Sequence, residues 1–169
     1  RMSLQQDILS SVSAFFNNAK DVKAAVQKAI DENDDLKKQV EAAVRERVGQ
    51  LKGRLIEAAK EVDGVKVIAQ VLPMDVEAGA VKDLAFQVSG QLPENTFLVL
   101  GSKHDDKPLL TVMVSKDLIA SRQLHAGNLV KEAARLIQGG GGGAPHFATA
   151  GGKNTAGLDE AVAKVLELA

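Results

Sequence analysis

Apolar side chains recur at every third or fourth position through the first third of the chain, which is the spacing of one face of an α-helix. The pattern predicts a first helix from Ser3 to about Asn18. A longer helical segment, of one helix or two, is predicted to begin after an N-cap at Asp21 and to end near Val62. The apolar stripe of this longer segment comprises Val22, Val26, Leu36, Val40, Val44, Leu51 and Leu55. Its spacing drifts from strict heptads, so the stripe predicts either a folded helical hairpin or an extended dimeric coiled coil.

The hydrophobic period changes at the turn pair Asp63-Gly64, where helical spacing is replaced by strand-like runs. We therefore predict two parts, a helical stalk at residues 1–62 and a small globular domain at residues 63–169. The elements predicted in the second part are a strand at 65–72, a helix at 75–91, hairpin strands at 96–100 and 109–114, a helix at 126–138, a short strand-like segment at 147–149 and a last helix from about 155. The order β-α-β-β-α-(β)-α indicates the α/β (α+β) class with a mixed sheet, in which the hairpin strands are central.

Five consecutive glycines, Gly139 to Gly143, follow the helix predicted at residues 126–138. Gly139 stands where a helix commonly ends in the left-handed conformation. Ordering five glycines costs more backbone entropy than ordering any other five residues, so an ordered run requires an offsetting contact. The run either brings backbone amides close to a phosphate or ribose, or is a flexible linker. It lacks the Gly-Lys-Ser/Thr of a Walker loop, so nucleotide hydrolysis is not predicted.

Basic residues predominate around the glycine run, with five between Lys116 and Lys153 against two acidic residues. This excess is either a patch for a phosphate backbone or scattered surface charge. The overall net charge of −1 argues against a protein that coats nucleic acid through bulk charge. His146, beside the glycines, is a candidate donor to phosphate or ribose. The candidate contacts to nucleic acid are Arg122, Lys131, Arg135, Gly139, Gly140, Gly141, Gly142, Gly143, His146 and Lys153.

The composition removes several classes of site. The absence of Cys excludes disulfides and thiolate metal sites, and five Phe with no Trp or Tyr leave little for a site that stacks several bases. His104, His125 and His146 have no carboxylate at metal-ligand spacing, so no metal ligand or catalytic residue is predicted. We expect a cytoplasmic protein without a membrane partner, because neither a signal peptide nor a spanning stretch is recognisable. Arg1 in place of an initiator Met indicates a piece of a longer protein.

The segment from Leu136 to Gly152, with its five glycines, the Ala144-Pro145-His146 step and the closing Gly151-Gly152 pair, resembles the C-terminal domain of the alanyl-tRNA synthetase family. That domain is related to the accessory domain of DHH-type phosphoesterases. The upstream order of helical segment, strand, helix, hairpin and helix fits the same domain, so the resemblance covers essentially the whole chain.

The resemblance implies a tRNA-binding module that contacts the elbow of alanine-specific tRNA and links aminoacylation with editing. It also implies upstream domains that use ATP with Mg and hold Zn in an editing site. None of their motifs stands in this sequence, so we expect no cofactor and no catalysis from the chain itself. Two alternatives remain: a dimerisation module that pairs the stalk with its copy, and an accessory domain of a phosphoesterase.

Overall fold

The computed structural model describes residues 3–169, which divide between Val44 and Arg45 into two compact units. The first contains α1 (Leu4–Ala14) and the beginning of α2 (Val22–Glu57). Helix α1 opens with a capping box between Ser3 and Gln6, and α2 is capped by Asp21, whose carboxylate accepts a 3.0 Å hydrogen bond from the Ala24 amide. The N-cap predicted at Asp21 is therefore confirmed.

Helix α2 is continuous over 36 residues, so the segment forms one helix and not two. Helix α1 is shorter than the helix predicted to Asn18, because Asn17 and Asn18 both take positive φ angles of 55° and 58°. Asn tolerates this left-handed region better than most residues, and it ends the helix.

The second unit is built on a mixed sheet, as predicted, but the sheet has six strands and two of them, at residues 60–62 and 140–143, were not predicted. Its strands are β1 (Lys60–Val62), β2 (Val65–Asp75), β3 (Thr96–His104), β4 (Lys107–Val114), β5 (Gly140–Gly143) and β6 (Phe147–Gly151), and its helices are α3 (Ala78–Gln91), α4 (Lys116–Ser121), α5 (Ala126–Ala133) and α6 (Leu158–Leu168). The strand order is β1-β2-β3-β4-β6-β5, with β2 and β3 parallel and every other pair antiparallel. The hairpin strands β3 and β4 are central, and β1 and β5 are the two edges.

Side chains alternate between the two faces of this sheet, and both faces are covered over β3 and β4. On one face Val99, Val112 and Ala150 form a core with the helical residues Val130 and Val165. Helix α3 contacts β3 and β4 with its own buried side chains. Because they are buried on both faces, β3 and β4 read in the sequence as continuous apolar runs.

The compact second unit begins at Arg45 and not at residue 63, because the last turns of α2 contribute to its interior. Val48, Leu51 and Leu55 are only 7%, 5% and 0% exposed. Leu51 and Leu55 belong to the stripe that was predicted to pair either within a helical hairpin or with a second copy, and their surface is covered within the chain. The helical period alone could not separate an internal partner from an external one.

Three predicted helix boundaries were also wrong. The long helix predicted to end near Val62 ends at Glu57, and residues 60–62 form β1. Strand β2 runs through Pro73 to Asp75, and α3 begins only at Ala78. The Asp75 carboxylate accepts a hydrogen bond from the Asp105 amide, so it does not cap the helix. The helix predicted at residues 126–138 is α-helical only to Ala133, and a 3₁₀ turn follows to Ile137. Its left-handed residue is Gln138, at φ 53°, in place of the predicted Gly139.

Between Ser3 and Ala169 the structure contains no helix that is both long and apolar enough to cross a membrane.

Candidate nucleic-acid interface

The glycine run forms an edge strand of the sheet. Gly140 to Gly143 make up β5, which pairs with β6 in an antiparallel register that sets Gly141 opposite Ala150 and Gly143 opposite Ala148. The turn between the strands is closed by the Ala144 amide, which donates to the Phe147 carbonyl at 2.9 Å. The interpretation as a flexible linker is therefore wrong.

Alternate glycines of the run serve different purposes. A Cβ on Gly141 would overlap the backbone of β6, and a Cβ on Gly139 would overlap the backbone at the end of that strand. A Cβ on Gly143 would lie 2.7 Å from the Phe147 carbonyl oxygen. These three glycines are required by the close pairing of β5 with β6. A Cβ on Gly140 would meet nothing within 4 Å, and one on Gly142 would meet only the Lys131 Cε atom, at 3.2 Å. The packing of the described chain does not explain why these two positions lack side chains.

Helix α5 supports the end of the glycine strand. A Cβ on Gly127 would lie 2.6 Å from the Gly143 carbonyl oxygen, so this helical glycine permits a close approach. The Ala126 amide donates to the Pro145 carbonyl at 2.9 Å, and His125 caps the helix by accepting from the Asn128 amide at 3.2 Å. His125 therefore has a structural role, and α5 positions Lys131 beside Gly142.

Four of the predicted polar side chains surround this edge of the sheet. Lys131 lies beside Gly142, and Arg135 is exposed on the following 3₁₀ turn. Lys153 is exposed just after β6, and its amide donates to the Ile137 carbonyl at 2.9 Å. His146 is exposed in the turn between β5 and β6, and its carbonyl accepts from the Val114 amide. These residues flank the edge formed by β5 and β6, with His146 before the first residue of β6 and Lys153 after its last.

Arg122 does not join this group. Its guanidinium donates to the Asp63 carbonyl at 2.5 Å, in the turn between β1 and β2 at the opposite edge of the sheet. There it lines a cavity of about 620 Å³ whose walls include Val65, Phe97 and Leu124. Closeness in sequence placed Arg122 with the basic residues of α5, but the sheet separates it from the glycine strand.

An aromatic pair near the glycine strand was not found by sequence reasoning. The rings of Phe86 on α3 and Phe147 on β6 stack with centroids 5.2 Å apart and planes inclined by 29°. The Lys82 ammonium lies 5.9 Å from both centroids. The four-residue spacing of Lys82 and Phe86 on a helix was a readable signal, but nothing local indicates that Phe147 meets them.

Carboxylates also reach both ring nitrogens of His104, contrary to the expectation from sequence spacing. Nδ1 lies 2.5 Å from an Asp75 carboxylate oxygen, and Nε2 lies 3.4 Å from an Asp105 oxygen. The hydrogen bond to Asp75 raises the pKa of His104 and lowers the pKa of Asp75. Asp75 also accepts from the Asp105 amide at 3.1 Å, so the cluster ties the end of β2 to the β3–β4 turn. Asp75 is 29 residues from His104, which hid the pair from spacing rules.

Comparison with known proteins agrees with this architecture. The DHHA1 domain matches residues 64–169. The alanine–tRNA ligase of Bacteroides fragilis (strain YCH46) is 57% identical over 164 residues, which are 97% of this chain and 18% of that protein. The alanine–tRNA ligase of Parabacteroides distasonis is 44% identical over 163 residues, with 96% and 18% covered. The chain thus spans about a fifth of the length of these curated relatives.

A solved structure resembles this chain as well. The C-Ala domain from Aquifex aeolicus alanyl-tRNA synthetase superposes with a TM-score of 0.57 at 26% sequence identity. The match covers 65% of this chain and 96% of that domain. The match to the DHHA1 domain family extends over more than half of the chain and includes all of β2 to β6. The chain therefore belongs to the DHHA1 domain family, in the form found in alanyl-tRNA synthetases.

Proposed function

We propose that this chain is a tRNA-binding module, and that the glycine strand β5 is the centre of its contact surface. The observation that carries the proposal is that Gly140 and Gly142 lack side chains that the packing of the chain would accommodate. A partner that approaches the backbone closely gives a reason for this. The relatives reported above are named alanine–tRNA ligases, which supports tRNA as that partner.

The surface suits recognition of a phosphate backbone. One side of β5 faces no other strand of the described sheet, so its backbone groups are available to a ligand. Lys131, Arg135 and Lys153 supply positive charge around it, although the whole chain carries a net charge of −1. Binding of this kind reads shape and phosphate position more than base identity. Arg122 is not included, because it lies at the other edge of the sheet.

Within a whole synthetase, the module would hold the elbow of alanine-specific tRNA so that aminoacylation and editing act on the same molecule. The reaction itself, with its ATP, Mg and Zn, would belong to other parts of the parent protein. We place that protein in the cytoplasm with the machinery of translation.

Titration of this chain with an alanine tRNA transcript tests the proposal. A second transcript with its elbow loops disrupted should bind at least about tenfold more weakly, a difference of about 1.4 kcal/mol. Equal affinity for the two transcripts would contradict elbow recognition. Gly140→Val should weaken binding without unfolding the domain, because its side chain would point into open space. Gly90→Val on α3 is the matched control, since a Cβ there also meets nothing within 4 Å.

A second function, dimerisation through the stalk, is favoured by a separate observation. Leu36 and Val40 are 59% and 61% exposed on α2, which is unusual for large apolar side chains on one helix face. The stripe proposed for pairing is limited to the first unit, because Leu51 and Leu55 are buried within the chain. Sedimentation at increasing concentration should detect a dimer that Leu36→Lys dissociates. A monomer at all concentrations would eliminate this role.

A further inference from the structure

We infer that Phe86 and Phe147 form a platform on which one unpaired base of the bound tRNA stacks, beside the glycine strand. This inference rests on the proposed tRNA-binding function and adds a specific base contact to it. Three observations support it: Phe86 is exposed, the Lys82 ammonium lies close to both rings, and Phe147 lies next to the β5–β6 turn.

Phe86 is held at the surface. The other large apolar residues of α3, Val81, Leu84 and Val88, are fully buried, whereas Phe86 is 46% exposed. Phe147 is half-buried behind it, with ring centroids 5.2 Å apart. The Phe147 ring therefore supports one side of Phe86 and leaves much of the remaining ring surface in solvent. A supported, exposed ring is what a stacking base requires.

Lys82 makes the platform suitable for a nucleotide. Its ammonium lies 5.9 Å from both ring centroids, one helical turn before Phe86. A positive charge here can pair with the phosphate of the same nucleotide whose base covers the ring. An apolar protein surface would instead have to desolvate this ammonium, which is costly. Charge complementarity therefore favours a nucleotide as the occupant.

Phe147 connects the platform to the glycine strand. It is the first residue of β6, and Ala148, which follows it, pairs with Gly143. Its carbonyl accepts from the Ala144 amide, so the same turn positions the ring and the end of β5. With β5 holding phosphates, an adjacent unstacked base would meet the Phe86 ring of α3, which stacks on Phe147 at the start of β6. The few aromatic residues leave little for a site that stacks several bases, but a single base needs only this pair.

Tryptophan fluorescence gives a direct test, because the chain contains no Trp or Tyr. Phe86→Trp would create a unique fluorophore on the platform. We expect saturating alanine tRNA to quench its emission, since a base stacked on the indole shortens its excited state. Val62→Trp is the matched control, because Val62 is 54% exposed on β1, at the opposite edge of the same sheet, and its emission should not be quenched.

Binding constants give the second readout, measured by anisotropy of labelled tRNA. Phe86→Leu should weaken binding about 5- to 150-fold, the range for loss of one base–aromatic stack. Its salt dependence should stay unchanged, because no charge is removed. Lys82→Gln should reduce the slope of log affinity against log salt by about one. Phe86 and Lys82 are both exposed, so neither variant should disturb folding, and thermal unfolding checks this.

The possible results separate the two proposals. Quenching of Phe86→Trp together with weaker binding by Phe86→Leu supports the platform. Normal tRNA affinity with no quenching and no effect of Phe86→Leu overturns the platform and leaves the tRNA-binding function standing. An absence of tRNA binding by the unaltered chain overturns both. A blue shift of Phe86→Trp with protein concentration alone, without tRNA, would identify the platform as a protein contact and overturn the inference.

Discussion

The two edge strands of the sheet differ in how far their side chains protect them from another chain. At one edge, β1 is only three residues long and carries the exposed charges of Lys60 and Glu61. Short, charged edge strands are a common defence against pairing with another chain. At the other edge, β5 consists entirely of glycine and has no side chains to protect it. One edge is thus built to repel a partner, and the other keeps its backbone accessible, which is the arrangement expected when only the second edge binds a ligand.

The largest expected effect comes from a substitution within β5 itself. Gly141→Ala should lower the free energy of unfolding by about 3 kcal/mol, because the new Cβ would overlap the backbone of Thr149 and Ala150. Gly140→Ala should change it by less than about 0.5 kcal/mol, since the added methyl meets open space. Urea denaturation of both variants measures the difference. Equal stability of the two variants would contradict the distinction between the packed position Gly141 and the open position Gly140.

A smaller effect should distinguish the two edges in tRNA binding. Lys131→Gln, next to β5, should weaken binding about fivefold and reduce the salt slope by about one, because one phosphate contact is lost. Arg122→Gln, next to β1, removes the same charge and should leave both quantities unchanged. Salt titrations of tRNA affinity make this comparison. An equal loss in both variants would mean that the bound tRNA covers both edges.

At the β1 edge the expected change is in solubility more than in stability. Glu61→Val replaces an exposed charge by a β-branched apolar residue and should alter the free energy of unfolding by less than about 0.5 kcal/mol. It should nevertheless promote self-association, because the unprotected edge can then pair with another chain. Light scattering at increasing concentration tests this. Glu57→Val at the end of α2, exposed but outside any strand, is the control.

The smallest effect concerns the His104–Asp75 contact, which lies between the edges. Because the pKa of His104 is raised, its contribution to stability is complete below the ordinary value of 6.5 and is lost as pH rises through the folded-state value. Because the pKa of Asp75 is lowered, its contribution is complete above 3.8 and is lost as pH falls through the folded-state value. The contact therefore stabilises the fold fully between about these two values.

An NMR titration checks that contact. Asp75→Asn should bring the pKa of His104 down toward its ordinary value, whereas Asp106→Asn, in the same turn, should have a smaller effect, because the 2.5 Å partner of His104 is Asp75. A His104 titration that is unaffected by Asp75→Asn would contradict the assigned cause. Neither substitution should change tRNA affinity, since the contact ties β2 to the β3–β4 turn and lies on neither edge.

Local signals in the sequence predicted most of the elements but few of their ends. The helical period of α3, the apolar runs of β3 and β4 and the turn at Asp63-Gly64 all correspond to elements of the structure. The left-handed residue that follows the helix predicted at residues 126–138 was assigned to Gly139, because glycine adopts this geometry most easily. Gln138 adopts it instead, and Gly139 is needed where the chain passes close to Gly151. A preference for glycine in left-handed geometry cannot reveal a contact that comes from another strand.

For the candidate interface as well, the sequence identified the residues but not their positions in space. Sequence drew attention to Gly139–Gly143 and to the basic residues near it, and the structure placed Lys131 beside the run and Arg122 at the opposite edge. Sequence distance is a poor guide to spatial distance in a sheet where β6 lies between β4 and β5. The Phe86–Phe147 pair and the His104–Asp75 contact were missed for this reason, because each joins residues far apart in the chain.

By itself, the sequence determined the helical beginning, the mixed α/β class and the absence of Cys chemistry, because each depends on composition or local periodicity. It also carried the family resemblance, through the glycine motif at residues 136–152. Only the tertiary structure decided that the last turns of α2 belong to the second unit, that the glycine run is an edge strand, and that its glycines alternate between packing and exposure. These properties depend on contacts between backbone segments that are far apart in the sequence. Close approach between strands is set by the whole sheet, so a run of glycines does not by itself show which backbone lies against it.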